Sequence, residues 1–362
     1  MSLWVVVGGQ FGGEGKGKIS AFITRHEDID VCIRCGGPNS GHSFVTDSGD
    51  TVLLRQLPTG YIRPQTRLLI PAGALIDLQV LKHELDALGL DLKRVGIDRN
   101  AMIIEESDKA QEAALQLRER LSSTLCGVGS AVARRALRGA DVRTAEIAGK
   151  EVPWLAGLIT DVSEEANSAL DQDKKVLVEG TQGFGLSLYH SDSYPKATSR
   201  DTTAAGFLSE VGLSPRLVTD VVLVFRTFPI RVAGDQAGPM KDEIKWEDVR
   251  RGSGCPFPIT EMTTVTNKVR RVGKFDWDLA SSAANVNRPT VVAINGLDYL
   301  AHADRDIHCT DELSAQASRF INELEARLGV FVGLCGTSPA VLFERHSGPL
   351  ARPVLVGAHE TL

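Results

Sequence analysis

Two glycine-rich segments close to the start of the chain carry residue types and spacings suited to chemistry on phosphate. The first runs Gly8-Gly9-Gln10-Phe11-Gly12-Gly13-Glu14-Gly15-Lys16-Gly17-Lys18-Ile19. Glycines placed between a strand and a helix let backbone N–H groups turn inward and approach an anion closely. The helix start that follows adds its partial positive charge, and Lys16 and Lys18 can neutralise phosphate. Gly12 to Lys18 fits G-x-x-x-x-G-K, but Ile19 stands where a Ser or Thr hydroxyl would hold Mg²⁺, so the loop is an aberrant phosphate loop. The alternative, a flexible glycine turn, accounts for neither the two lysines nor the preceding strand. The second segment is Arg34-Cys35-Gly36-Gly37-Pro38-Asn39-Ser40-Gly41-His42-Ser43. A lone histidine in such a loop is more often structural. Beside a phosphate loop, His42 becomes a candidate acid or phosphate-stabilising group. Cys32 and Cys35 form a C-x-x-C, yet Val31 to Cys35 reads as a strand, where positions i and i+3 face opposite ways. No second pair completes a zinc site, so reduced thiols are the simpler reading.

The elements that must position these loops alternate along the chain. Leu3 to Val7, Leu68 to Pro71, Lys175 to Val178, Val218 to Phe225 and Thr290 to Ile294 read as buried strands. Helical periods lie between them. Leu78, Val80, Leu81, Leu85 and Leu88 share a face, as do Ala110, Ala113, Ala114 and Leu117. A third helix spans about Asp311 to Leu328, with Ala315, Phe320, Ile321, Leu324 and Leu328 inward. Gly234 to Pro239 and Gly252 to Pro258 read as loops. The alternation predicts an α/β fold with a largely parallel central sheet flanked by helices, akin to phosphate-loop NTPases. No composition break divides the 362 residues, so residues 1–343 are expected to form one domain, with 344–362 as a weakly patterned tail.

Composition narrows the partners. Hydrophobic residues make up 43% and charged residues 24%, a globular balance. A net charge of −6 argues against a broad nucleic-acid surface. No apolar run reaches the roughly 18 residues of a membrane span; the best, Val218 to Val232, carries Asp220, Arg226 and Arg231. The start of the chain has no positive n-region, so a cytoplasmic location is expected.

Together the two loops resemble the adenylosuccinate synthetase family. Gln10 to Lys18 resembles its Q-W-G-D-E-G-K-G-K, and Gly36 to His42 its G-G-x-N-x-G-H. Further ordered matches follow: Ser123-Thr124 with Gly127-Val128-Gly129 to T-T-G-R-G-I-G, Ala133 to Arg138 to A-R-R-G-L-R, and Glu179 to Gly183 to E-G-A-Q-G. Thr198 to Ala204 is similar to T-S-S-N-T-T-A, and Thr266 to Asp276 to T-G-R-R-R-R-T-G-W-L-D. The resemblance implies a C–N ligase. It would transfer the γ-phosphate of a nucleoside triphosphate to the 6-oxygen of a purine nucleotide, and L-aspartate would then displace that phosphate. An oxo group leaves poorly and phosphorylation makes it leave well, so the protein's work is positioning and charge stabilisation.

The resemblance also implies roles. His42 would stabilise the 6-oxygen and phosphoryl group as an acid, Lys16 would hold the γ-phosphate, and Gln182 would lie near the purine 6-position, with Gly13 the fourth catalytic position. The triphosphate would meet Gly12, Gly13, Glu14, Gly15, Lys16, Gly17, Gly41, His42, Ser43 and Arg270, and its base the turns Asn295, Gly296, Asp298 and Gly336, Thr337, Ser338. The Gly41 carbonyl would ligate Mg²⁺. The purine monophosphate would meet Gly13, Asn39, Gln182, Ser123, Thr124 and Thr198, with Arg134 reaching in from the second subunit of a homodimer. Aspartate would meet Thr264, Val265, Thr266, Asn267, Lys268 and Arg270. An arginine fork suits a carboxylate; without the flanking motifs, Arg270 and Arg271 would read as a solvated face.

Three departures matter. The family has Asp where this chain has Gly13, and that Asp takes the N1 proton of inosinate. Its absence implies either a dead enzyme or a changed substrate, and the presence of His42, Lys16, Gln182 and Arg134 argues against decay. Removing a carboxylate beside N1 and C2 is expected to open space for the 2-amino group of guanine. A branch of the family, from phages that replace adenine with 2-aminoadenine in DNA, uses deoxyguanylate and lacks this Asp. The chain resembles that branch, which implies dGMP as substrate, a 6-succinylamino-2-amino-2′-deoxypurine nucleotide as product, and a host cytoplasm. The alternatives are an IMP-using adenylosuccinate synthetase and a catalytically silent nucleotide-binding regulator. Second, Gly296 replaces the lysine of the family's T-K-x-D, which weakens guanine recognition; ATP or dATP is expected at least as readily as GTP, which Asp298 keeps open. Third, Lys268 and Val269 replace two arginines, and residues are missing between Gly129 and Ala133.

Overall fold

The computed structural model describes residues 2–263 and 268–345. The first strand, β1 (Ser2–Gly8), is β-branched and apolar and occupies the middle of a ten-stranded sheet. On one side of β1 lie Lys175–Glu179, β2 (Val31–Arg34), Arg67–Ile70, Val95–Asp98 and Ile159–Thr160. On the other lie Asp220–Arg226, Val291–Asn295, Val332–Gly336 and Leu342–Glu344. Every pairing is parallel except the last, which is antiparallel. The α/β architecture with a largely parallel sheet is the one the alternating pattern predicts. All five expected strands are present within one or two residues of their predicted ends.

Two apolar layers cover the sheet. Leu3, Val5, Val7, Cys35 and Phe207 belong to one and Val6, Cys32, Leu68 and Leu177 to the other. Cys32 and Cys35 therefore do face opposite ways. Both are unpaired thiols, pushed well up by burial, as inert core cysteines should be.

Several local expectations need correction. Ala110, Ala113 and Ala114 lie on the exposed side of the helix Glu106–Ala114, which buries Asp108 and Glu112. Those carboxylates have specific partners: Asp108 takes Arg134, and Glu112 accepts the Gly127 and Gly129 N–H groups at 2.9 and 2.8 Å. Polar satisfaction outweighed apolar periodicity there. Gly252 belongs to the helix Trp246–Ser253 rather than to a loop. The expected tail starts too early, because Glu344 closes the edge strand and Arg345 ion-pairs with Glu325 at 2.7 Å; residues 346–362 lie outside the described residues. His42 is not in a loop but opens the strand β3 (His42–Val45), paired with β4 (Thr51–Leu54) so that His42 faces Leu54.

Candidate active site

The carboxyl ends of the central parallel strands converge on the loop after β1, the place where open α/β sheets build ligand sites. That loop is closed by its own carboxylate. Glu14 Oε1 accepts the N–H groups of Gln10 (3.1 Å) and Gly12 (2.8 Å), and Oε2 takes the Lys16 ammonium at 2.6 Å, all buried. Gln10 pairs in both directions with the backbone of Arg226, and the Asn295 amide donates to the Glu14 carbonyl at 2.9 Å. Lys16 opens the helix α1 (Lys16–His26), whose N-cap, Gly15, supplies no side-chain acceptor. The first-turn N–H groups are thus without a side-chain cap, and Lys16 stands beside them. At Gly17 a Cβ would lie 2.6 Å from His42 Cβ, so this glycine is what lets α1 and β3 approach.

Lys18 departs from the sequence expectation. Its ammonium turns away from the loop and donates to Asn295 Oδ1 (3.2 Å) and to the Ser338 and Val341 carbonyls (2.7 Å each). Burial lowers its pKa to about 7, against the pull of Asp298.

His42 is buried with one nitrogen engaged. Its Nδ1 meets Glu179 at the end of the strand Lys175–Glu179, and Nε2 has no partner. Glu179 also accepts Arg34 Nη1 (2.7 Å) and the Thr59 N–H and hydroxyl (2.8 and 2.7 Å). Burial would raise the Glu179 carboxyl, but His42 and Arg34 hold it down to about 2. Burial first, then Arg34 and Lys16, lowers His42 to about 3. The ionised Glu179 therefore accepts a hydrogen bond from the Nδ1 N–H, and Nε2 carries a free lone pair.

Across from His42, Arg226 grips Glu261 with both arms and donates to the Gly13 carbonyl at 3.2 Å. Tyr299 adds a hydroxyl bond to Glu261 at 2.9 Å. Arg270 is anchored by Nε to the Met262 carbonyl (3.1 Å), and burial lowers its pKa. A cleft with about 610 Å³ of open space lies between these groups, lined by Gly13, Gly15, Lys16, Gly17, Ser40, Gly41, His42, Ser43, Ile230, Glu261, Met262 and Arg270. Eight positions named from sequence thus meet in one cleft. Glu261 and Ile230 were missed, since neither carries a spacing signal; Glu179 was visible only as a letter of its motif.

The other described residues named from sequence lie outside the lining of this cleft. Gln182 has φ +64°, an uncommon conformation for a non-glycine residue, with its side chain beside Gly12. Asn39 and Thr198 are close in sequence to residues that approach the helix Val128–Ala136, and Ser123 and Thr124 precede that helix in the chain. A Cβ at Gly37 would lie 3.0 Å from Val128, and one at Gly129 would lie 3.7 Å from Ser199. Arg55 ties the Pro38 carbonyl (2.6 Å) to Cys126. Asp298 lines a second cleft with Phe257, Tyr299, His302 and Arg305. Burial raises its carboxyl to about 6 despite Arg305 at 3.2 Å. Asn295 and Ser338 meet Lys18, and Gly336 packs on Asn295. Arg134 is held within its own chain, by Asp108 (3.0 and 2.7 Å) and the Asp141 carbonyl (2.8 Å). Thr264, Val265, Thr266 and Asn267 lie outside the described residues; Lys268 is tied by its N–H to Thr263. Among the described residues no group of three or more His, Cys, Asp or Glu is gathered for a metal.

The family model for adenylosuccinate synthetase matches residues 5–154 and 152–311. The chain belongs to the adenylosuccinate synthetase family. It is 42% identical over 339 residues to the adenylosuccinate synthetase of Pyrococcus horikoshii, covering 92% of this chain and 95% of that one. The enzyme of Methanocaldococcus jannaschii is 39% identical over 339 residues, covering 92% and 94%. Among solved structures, the succinoaminodeoxyadenylate synthetase (PurZ) of cyanophage S-2L, bound to dGMP and to dATP as an energy donor, aligns with TM-score 0.80 at 28% identity over 95% of each chain. The fully ligated adenylosuccinate synthetase of Plasmodium falciparum shares the fold, with TM-score 0.82 at 20% identity over 96% of this chain and 100% of that one. As a family member the chain is a C–N ligase that joins aspartate to a purine nucleotide at the expense of a nucleoside triphosphate.

The substitution at position 13 is not simply a vacancy. A Cβ there would lie 2.7 Å from Ile230 Cδ1, so the space beside Gly13, expected to be open, is in part filled.

Proposed function

We propose that this ligase acts on dGMP, giving the 6-succinylamino-2-amino-2′-deoxypurine nucleotide used for 2-aminoadenine synthesis. The observation that carries the reading is Gly13: the phosphate loop, His42 and Lys16 line one cleft, but the cleft offers no carboxylate from position 13. The likeness to the dGMP-bound cyanophage enzyme supports it. Lys16 and the uncapped start of α1 would hold the γ-phosphate. Incoming phosphate charge would favour a proton on His42 Nε2, which would then donate toward the 6-oxygen and phosphoryl group. Gln182 would orient the purine 6-position. Without a carboxylate at position 13, the N1 proton would leave through water near Gly13 or through the phosphoryl group itself.

The donor in this reading is ATP or dATP at least as readily as GTP, because Gly296 offers no side chain to cover a guanine while Asp298 keeps GTP open. The residues present fit Mg²⁺ carried in on the phosphates. Gly41, whose carbonyl is the expected ligand, lines the cleft, the Glu14 carboxylate is turned to backbone N–H groups, and Mg²⁺ commonly keeps waters and substrate oxygens as ligands. That ion would supply charge neutralisation. Asn39, Ser123, Thr124 and Thr198 would hold the 5′-phosphate, and Lys268, Arg270 and residues 264–267 the aspartate. In a homodimer, Arg134 would trade its Asp141 carbonyl for the partner's substrate. A cytoplasmic location fits six unpaired cysteines; among the described residues no helix is long and apolar enough to cross a membrane.

A second reading, IMP as substrate, is favoured by the 42% identity to an archaeal adenylosuccinate synthetase. Phosphate release and product mass, measured with dGMP or IMP plus aspartate, Mg²⁺ and ATP, decide between them. The dGMP reading expects a succinylated dGMP product that vanishes without aspartate. A higher kcat/KM for IMP than for dGMP overturns it.

A further inference from the structure

We propose that Ile230 is a specificity-determining residue of the purine site, acting with Gly13 as one steric unit that puts a methyl group where a side chain at position 13 would stand. This deepens, and in its substrate consequence rests on, the dGMP reading.

Gly13 has φ +71°. A Cβ built there would lie 2.7 Å from Ile230 Cδ1, 3.1 Å from Ile230 Cγ1 and 3.4 Å from Arg270 Nη1. Carbon atoms rest at about 3.5–4.0 Å, so no side chain fits at position 13 unless Ile230 moves. The Ile230 backbone and Cβ are poorly placed to move, so relief has to come from turning the terminal methyl about χ2 within its packed surroundings. Ile230 is 1% exposed and packs among Trp246, Val249 and Val272. Its backbone is paired antiparallel with Val272, and the next residue, Arg231, is pinned to the Pro239 and Lys196 carbonyls at 2.8 Å each. Its β-branch also restricts χ1.

The two positions are thus complementary: with Ile230 in this rotamer, its methyl and the positive φ at position 13 both favour glycine there, and Gly13 leaves room for Ile230. A carboxylate placed against this methyl would lose hydration on that side, with the Arg270 arm its compensation. Ile230 itself lines the cleft beside Lys16 and His42. In the proposed pose the N1–C2 edge of the purine meets an apolar wall, which sorts purines by shape rather than by proton acceptance. One group more or less in such a pocket changes discrimination by about 10–200-fold.

The test is a substitution cycle read with dGMP and IMP alike. Gly13→Ala is expected to lose about thirtyfold or more in kcat/KM with either purine. Ile230→Val, which keeps the β-branch and deletes only Cδ1, is expected to fold and to restore the Gly13→Ala protein by about tenfold when combined with it. Ile230→Ala alone is expected to reduce the dGMP-to-IMP selectivity about tenfold while the KM for ATP stays within about threefold. Gly13→Asp is expected to raise IMP turnover only when paired with Ile230→Ala. Melting curves on each variant give a second reading of the coupling, with the paired protein more stable than the sum of the single losses. Additive losses, or an unchanged selectivity in Ile230→Ala, overturn the proposal. Wild-type preference for IMP would instead overturn the dGMP reading, while the 13–230 coupling would still be decided by the cycle.

Discussion

His42 shows how much one buried imidazole depends on a residue far along the chain. Its glycine-rich surroundings made it legible as a candidate, but Glu179, which sets its tautomer, lies 137 positions away and is joined to it only by the sheet. The pairing has a pH consequence. In the folded protein His42 takes a proton at about 3, against 6.5 for an unperturbed histidine, and Glu179 at about 2, against 4.5. Both folded values are depressed, so the unfolded chain holds more protons than the native one wherever either group titrates. Stability therefore rises with pH across these windows. It is lost as pH falls below about 6.5 through His42, and below about 4.5 through Glu179. Calorimetry on the unliganded protein should show Tm falling between about pH 7 and pH 5, with a shallower fall in His42→Asn. Equal slopes would mean that His42 is not held neutral by the fold. The same substitution should cut kcat by about a hundredfold or more if Nε2 acts as proposed.

At the scale of elements, the strands were legible because each is a short apolar run, whereas residues that join elements were not. Lys18 is the clearest case. By spacing it looks like a second phosphate lysine, yet it bonds Asn295, Ser338 and Val341, and Asn295 in turn holds the Glu14 carbonyl. One ammonium therefore couples α1 to the turns proposed to seat the donor base. Nothing in local sequence reports this, since the partners lie 277 to 323 positions away. The helix Glu106–Ala114 teaches the same lesson: its alanine periodicity lost to the partners of Asp108 and Glu112. Hydrogen bonds from a charged donor contribute about 1.5–3 kcal/mol each, and a tenfold change in binding needs only about 1.4 kcal/mol. Lys18→Met should thus raise the KM for ATP about tenfold or more. The KM for the purine monophosphate should stay within about twofold, as steady-state kinetics would show. A selective rise in the monophosphate KM would place Lys18 on the other substrate.

For the whole molecule, the ten-stranded sheet converts sequence distance into proximity. β1, Asp220–Arg226 and Val291–Asn295 deliver the phosphate loop, Arg226 and Asn295 to one edge of the sheet, and Lys175–Glu179 delivers Glu179 behind His42. The parallel architecture was predictable from alternating elements. The order of strands was not, because pairing is decided by long-range packing that single-sequence patterns do not record. Since every proposed ligand contacts several of these strand ends, binding should stabilise the fold as a whole rather than one loop. A ligand at a hundred times its Kd adds about 2.7 kcal/mol. Unfolding entropy of about 2.1 cal/mol/K per residue makes each kcal/mol worth a little over about 1 °C in a chain this long. Saturating dGMP, and separately saturating ATP with Mg²⁺, should therefore each raise Tm by about 3–4 °C, with the two shifts at least additive. A shift with IMP and none with dGMP would support the archaeal-type substrate. A shift with the triphosphate and none with either purine monophosphate would leave a nucleotide-binding regulator as the reading that fits.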